Sequence, residues 1–298
     1  MLFISQLING LQLGSIYALV ALGYSMVYGI VKLLNFAHGD IIMVGGYIAL
    51  FALTALYLPP AMAAVVTVLG CALLAMVIEK LAYTPLRSAP RLSLLITAIG
   101  VSILLQNLAQ LAFGADGTLF PAGELLPPGT FSIGAFSIGH VALVTIVASL
   151  VSMAILTILV QKTKLGKAMR AVSEDMGAAQ LMGVNVNHII TFTFAIGAAL
   201  AGVGALLYSV SFPLLMPTIG LMLGIKAFVA AVLGGIGSIP GAMIGGYVIG
   251  VLEAMVVFGG QYITGLERWR DGVVFLVLIL VLMFKPTGIM GRPMMEKV

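Results

Sequence analysis

Nine apolar stretches, most of them about twenty residues long, follow one another with few charges inside them. They lie at about 5–31, 41–57, 61–79, 92–112, 140–161, 188–212, 222–234, 241–258 and 272–284. A hydrocarbon core of about 30 Å needs about 20 apolar residues in helical form. The seventh and ninth stretches are short for a full crossing. Lipid tolerates a broken helix only where protein or water covers the freed backbone. The pattern therefore predicts an all-α, polytopic transmembrane bundle of eight or nine membrane segments, some of them broken or half-length. The whole chain, 1–298, reads as one transmembrane domain.

Composition closes the other routes. Hydrophobic residues make up 61% of the chain and charged residues 8%, against about 25% charged in a soluble domain. So little charge cannot cover a soluble surface, which excludes a cytosolic enzyme, a secreted domain and a disordered chain. The first positive residue is Lys32, so no basic region precedes the first apolar segment. That segment is expected to stay in the mature protein rather than to act as a signal peptide. The single cysteine, Cys71, excludes an intrachain disulfide and a thiolate cluster.

The charges fall in loops. Lys80, Arg87 and Arg91 share one loop and Lys162, Lys164, Lys167 and Arg170 another, while Lys285, Arg292 and Lys297 form the tail. With nine passes these groups and Lys32 lie on one side, and of the fourteen Lys and Arg only Lys226, Arg268 and Arg270 fall elsewhere. Loops rich in Lys and Arg stay cytoplasmic. The C-terminus is expected inside the cell and the N-terminus outside. Residues 113–139 form the longest polar stretch and contain no Lys or Arg.

No catalytic pattern stands out. There is no Gly-xxxx-Gly-Lys-[Ser/Thr] loop for a nucleotide triphosphate and no His-Glu-xx-His zinc pattern. The stretch Gly234–Gly241 resembles a dinucleotide loop only in part, because Pro240 stands where a third glycine is needed. No interleaving of basic and aromatic residues suggests nucleic acid. Neither an enzyme nor a metal site is expected.

Four constellations carry chemistry. First, Asn35, His38, Gly39 and Asp40 break the chain between two apolar segments. They make either a broken helix lining a substrate path or an ordinary turn, with Asn35 or Asp40 as a cap. Second, in the 162–187 loop Ser173 suits an N-cap, Glu174 and Asp175 a first turn, and Gly183 a stop. This predicts a short helix over about 174–182 outside the bilayer, either a solvated linker or a docking element. Arg170 and Glu174, four apart, can pair if the helix starts earlier.

Third, polar groups sit at membrane depth. Gln106 and Gln110 share one face of the fourth segment, and Glu253 lies in the eighth. An intramembrane carboxylate is costly and points to function by default, unless it lies near the surface. Fourth, Gly10/Gly14, Gly220/Gly224, Gly241/Gly245 and Gly246/Gly250 have the small-xxx-small spacing of closely packed helices. Gly45-Gly46-Tyr47 and Gly245-Gly246-Tyr247 echo one another, as two halves of a duplication would.

Three of these stretches carry a resemblance. Asn35-Phe-Ala-His38-Gly39-Asp40, Arg170-Ala-Val-Ser-Glu174-Asp175-Met-x-Ala-Ala179-x-Leu-Met-Gly183 and Val232-Leu-Gly-Gly-Ile-Gly237-Ser-Ile-Pro-Gly241 resemble the permease subunits of branched-chain amino acid ABC importers. The opening Gln6-Leu-Ile-Asn9-Gly10-Leu-x-Leu-Gly14-Ser-Ile-Tyr17 is similar to the shorter, H-type permease of that system. Urea and short-amide permeases look similar.

The resemblance implies a bacterial inner-membrane protein that works with a second homologous permease, two ABC ATPase subunits and an external solute-binding protein. ATP and Mg then belong to the ATPase subunits, with no cofactor on this chain. The resemblance also gives Arg170, Glu174, Asp175, Ala179 and Gly183 a role in coupling to the ATPase. The family's Ile-x-Leu-Pro after the glycine is replaced here by a region containing Thr191-Phe-Thr-Phe. Asn35, His38, Asp40, Gln106 and Glu253 are the candidates for the translocation path. An ion-coupled secondary transporter is the competing class, and it would need ionisable carriers at the bilayer centre.

Overall fold

A computed structural model describes residues 2–32, 35–87, 89–133 and 136–291. The tail charges Arg292 and Lys297 lie outside the described residues. The helices run in the order α1 Leu2–Val31, α2 His38–Thr54, α3 Pro60–Ile78, α4 Arg91–Phe113, the one-turn α5 Ala122–Leu125, α6 His140–Lys162, α7 Lys164–Glu174, α8 Met176–Leu181, α9 Val186–Ser211, α10 Ile219–Gly234, α11 Ile239–Gly259 and α12 Arg270–Phe284. A π-helical turn, Glu79–Tyr83, and a 3-10 turn, Thr84–Leu86, extend α3.

All nine apolar stretches are helices. Six of the helices are long and apolar enough to cross a membrane. The other three, α2, α10 and α12, have 17, 16 and 15 residues. The sequence marked α10 and α12 as short but not α2. The β elements are short, and one of them, through Leu215, reaches the core beside α2. Strand β1 Thr118–Leu119 pairs with β4 Leu214–Leu215, and β2 Thr130–Ile133 with β3 Phe136–Gly139, both antiparallel.

Helix α1 is the axis of the bundle. An 18-residue window of it is 89% buried, against 17% for α6. A helix apolar all round belongs inside a bundle. Its glycines explain how α11 approaches it. A Cβ on Gly250 would lie 2.2 Å from Gly14 N, and one on Gly14 would lie 2.8 Å from Tyr247 Cα. Gly29 meets Gly237 at the far end of the pair, so the two helices run antiparallel. Helix α9 also runs antiparallel to α1, with Gly23 against Gly197 and Gln12 against Ser211. Lipid tails give no hydrophobic drive for association, so such backbone contact supplies the packing.

Helices α3, α4, α6 and α12 turn apolar side chains outward, including Leu73, Leu111, Ile155 and Leu280. Their exposed faces suit lipid. Helix direction and contacts gather Val31, the 79–87 turn, the 162–187 segment, the 234–239 turn and residues 285–291 at one end. Lys32, Lys80, Arg87, Lys162, Lys164, Lys167, Arg170 and Lys285 are therefore clustered at that end. The echoing glycines sit in packed helices with different neighbours. Gly45 faces Ala205 and Cys71, whereas Gly245 faces Ala230.

Candidate functional site

The basic end carries a platform. Thr163 caps α7, its Oγ1 accepting from Gly166 N at 3.0 Å. Gly166, Met169 and Val172 form the buried stripe of α7, which packs on α1 and α9. The expected helix over 174–182 with Ser173 as its cap is corrected here. Because Thr163 starts α7 early, Ser173 falls in its last turn and donates to Arg170 O at 2.7 Å. Asp175 is the cap, its Oδ1 accepting from Ala178 N at 2.9 Å to start α8. Glu174 ends α7 rather than opening a helix. Arg170 donates to Val160 O and is not paired with Glu174 among the described contacts.

Ala179 anchors α8 and is buried. Gly183 ends it at φ +85, the left-handed region where glycine carries no steric penalty. Leu181 and Met182 stand 90% and 84% exposed. Beside them a groove of about 550 Å³ runs past Gln180, Gly183, Asn185, Asn187 and Arg87. The groove is tied to the bundle through Glu79, which sequence reasoning missed. Its fully buried carboxylate pairs with Arg87 and accepts from Thr84 Oγ1 at 2.7 Å and Thr191 Oγ1 at 2.8 Å.

The second site lies where the two shorter helices α2 and α10 begin. Their N-termini touch through backbone: a Cβ on Gly39 would lie 2.2 Å from Gly220 O. The cap of α2 is Ala37, not Asn35 or Asp40. Asn35 Oδ1 instead accepts from Ala37 N at 3.1 Å and Tyr83 Oη at 2.7 Å. Asp40, buried in the first turn, accepts from Ser102 and from Gln106 Nε2 at 3.0 Å. His38 packs against Tyr24, ring centroids 4.8 Å apart, and neither His38 Nε2 nor Tyr24 Oη has a hydrogen-bond partner among the described residues. The structure thus joins Asp40 to Gln106 and buries Asn35, His38 and Asp40 beside them. Gln110 remains a neighbour of Gln106 on the half-buried face of α4.

Glu253 belongs to a third site. Its side chain is 1% exposed, but it lies near the end of α11 and beside the part-exposed Arg270 and Asp271. Lys226 Nζ, on α10, lies 2.9 Å from its Oε1 and 2.7 Å from Asp271 Oδ1 on α12. Tyr17 Oη donates to the same carboxylate at 3.2 Å. Arg270 Nε sits 3.8 Å from Glu253 Oε2. A buried charge persists only when paired, and here two cations meet two carboxylates. Sequence reading found Glu253 but missed Lys226 as its partner. The signal was present, since Lys226 is a lone cation inside an apolar run. This cluster borders a cavity of about 310 Å³, with Asn9, Gln12 and Ser211 on its polar side.

A bundle with outward apolar helices, two shorter helices meeting inside it and a buried charge cluster defines a multi-pass membrane protein of the permease class. The family described as branched-chain amino acid transport system / permease component matches residues 6–282. The chain belongs to this family. The high-affinity branched-chain amino acid transport system permease protein BraD of Pseudomonas aeruginosa is 46% identical over 311 residues, covering 99% of this chain and 98% of that protein. LivH of Escherichia coli K12, of the same description, is 42% identical over 309 residues, with the same coverage. A probable LivH of Methanocaldococcus jannaschii is 31% identical over 93% of this chain and 89% of its own.

Proposed function

We propose that this chain is the permease subunit of an ATP-driven importer for branched-chain amino acids in a bacterial inner membrane. The observation that carries this reading is identity above 40% across essentially the whole length of permeases so named. The working assembly comprises a second homologous permease, two ATPase subunits that hold ATP and Mg, and an external solute-binding protein. This chain carries no cofactor and catalyses no reaction of its own.

The basic end, with α7 and α8, faces the cytoplasm in this reading, and the N-terminus of α1 lies outside. The exposed Leu181 and Met182 beside the groove offer an apolar anchor with a polar rim, the composition of a docking surface. Arg170 and Glu174 on α7 and Asp175 at the start of α8 precede that anchor, Ala179 holds α8 to the bundle and Gly183 sets its end. Asn35, His38, Asp40 and Gln106 close the path where α2 and α10 meet.

Purification of the chain from its native membrane with its bound subunits tests the assembly. Nucleotide-binding subunits in stoichiometric amount are expected. A chain that purifies alone and transports alone contradicts the reading.

A further inference from the structure

We propose that the cavity at the Glu253 cluster binds the zwitterionic head and apolar side chain of one α-amino acid, with Arg270 holding its carboxylate. This rests on the transport reading above and names the place and chemistry of the substrate contact. The cavity lies between the N-terminal part of α1, the end of α9, the end of α11 and the start of α12. That is the end of the bundle opposite the basic loops. Its volume of about 310 Å³ is at the lower limit of ligand pockets, which run from about 300 to 1,000 Å³.

The polar wall offers a cationic donor, Arg270, and neutral amide acceptors. Both ion pairs of Arg270, to Glu253 and Asp271, run through Nε, at 3.8 and 3.5 Å. The two Nη groups are left in the geometry that grips a carboxylate bidentately. The side chain is 48% exposed, so a ligand can reach it. Gln12 Nε2 donates to Ser211 Oγ at 2.9 Å. That bond uses the amide nitrogen, so Oε1 is the acceptor Gln12 has left for an ammonium group. Asn9 lies one helical turn before it on the same cavity wall.

Charge balance selects the ligand. Lys226 and Arg270 offset Glu253 and Asp271, so the cluster is neutral before anything binds. An anion or a cation alone would leave a net charge beside the buried Glu253–Lys226 pair, which costs more than in solvent. A zwitterion leaves the balance intact. The remaining wall is apolar, with Leu13, Phe212, Ala254 and Val257. It suits an aliphatic side chain.

The test uses the assembled transporter, with Val257→Cys as a reporter in the cavity wall. Cys71 is fully buried and contributes little background. The rate of labelling by a small impermeant thiol reagent is measured with L-leucine, with 4-methylpentanoate and with 3-methylbutylamine. L-leucine is expected to slow labelling several-fold and saturably, and the two single-headed analogues to have no effect at equal concentration. Arg270→Gln should abolish the protection, whereas Arg270→Lys should keep part of it. Ala254→Cys serves as reporter if Val257→Cys blocks uptake. Continued leucine uptake with no protection at either reporter overturns the site and leaves the transport reading standing. Full protection in Arg270→Gln overturns the role of Arg270. Absence of leucine uptake by the unmodified assembly overturns both.

Discussion

Arg87, at the rim of the groove beside α8, forms an ion pair with Glu79, a carboxylate with no exposed surface. The pair joins the end of α3 to the start of α9, because Glu79 also accepts from Thr191 and Arg87 donates to Asn187. The arrangement is asymmetric. Arg87 keeps 21% of its side chain in solvent and Glu79 none.

That asymmetry sets the first expectation. Arg87→Ala leaves a buried charge with only two hydroxyls and should cost about 3–5 kcal/mol, reduced by whatever water reaches the vacated space. Glu79→Gln keeps hydrogen-bond capacity and frees Arg87 towards solvent, so it should cost less. Thermal melting of the two variants in detergent checks the order. A lower melting temperature for Glu79→Gln would show that the carboxylate is not the vulnerable partner.

Gly250→Ala should destabilise the bundle strongly. The added methyl would overlap the backbone of Gly14, and backbone cannot move aside as a side chain can. Overpacking of this kind costs about 1–3 kcal/mol or more. Gly100→Ala is the control, since nothing lies within 4 Å of a Cβ there. Size-exclusion profiles after heating should separate the two. Equal survival would mean that α1 and α11 are not packed through their glycines.

Glu174→Lys should leave the bundle intact. Glu174 is exposed at the C-terminal end of α7, where the macrodipole favours a positive charge. Loss of uptake or of ATPase association in this variant then reports docking and not folding. Wild-type uptake would remove Glu174 from the coupling surface.

Asp40→Asn should be tolerated better than Asp40→Leu. Asparagine can still bond Ser102 and Gln106, whereas leucine strands both polar groups, at about 1–3 kcal/mol for each buried one. Extraction yield and melting temperature measure the difference, and an equally stable leucine variant would contradict the buried polar node.

The helices were legible because lipid imposes one periodicity-free rule, an apolar run of sufficient length. The boundaries of α1, α9 and α11 follow from it to within about three residues. The start of α2 was not, because nothing in His38-Gly39-Asp40 marks it as buried until Gly220 and Gly224 pack on it. The Ser173 cap was misplaced because Thr163, an equally good cap ten residues earlier, begins the helix first. Glu253 was visible as a carboxylate in an apolar run. Its partners Lys226, Asp271 and Tyr17 come from three other helices, and only packing brings them within reach. The burial of Glu79, the last residue of the 61–79 stretch, was not legible, since a π-turn that buries it leaves no mark in composition.

Uptake by the purified assembly in proteoliposomes tests the central claim most directly. Labelled leucine should accumulate only with ATP and the ATPase subunits present, and unlabelled isoleucine or valine should compete while urea and short amides do not. Accumulation driven by a proton or sodium gradient in liposomes that hold this chain without ATPase subunits would contradict the proposed function.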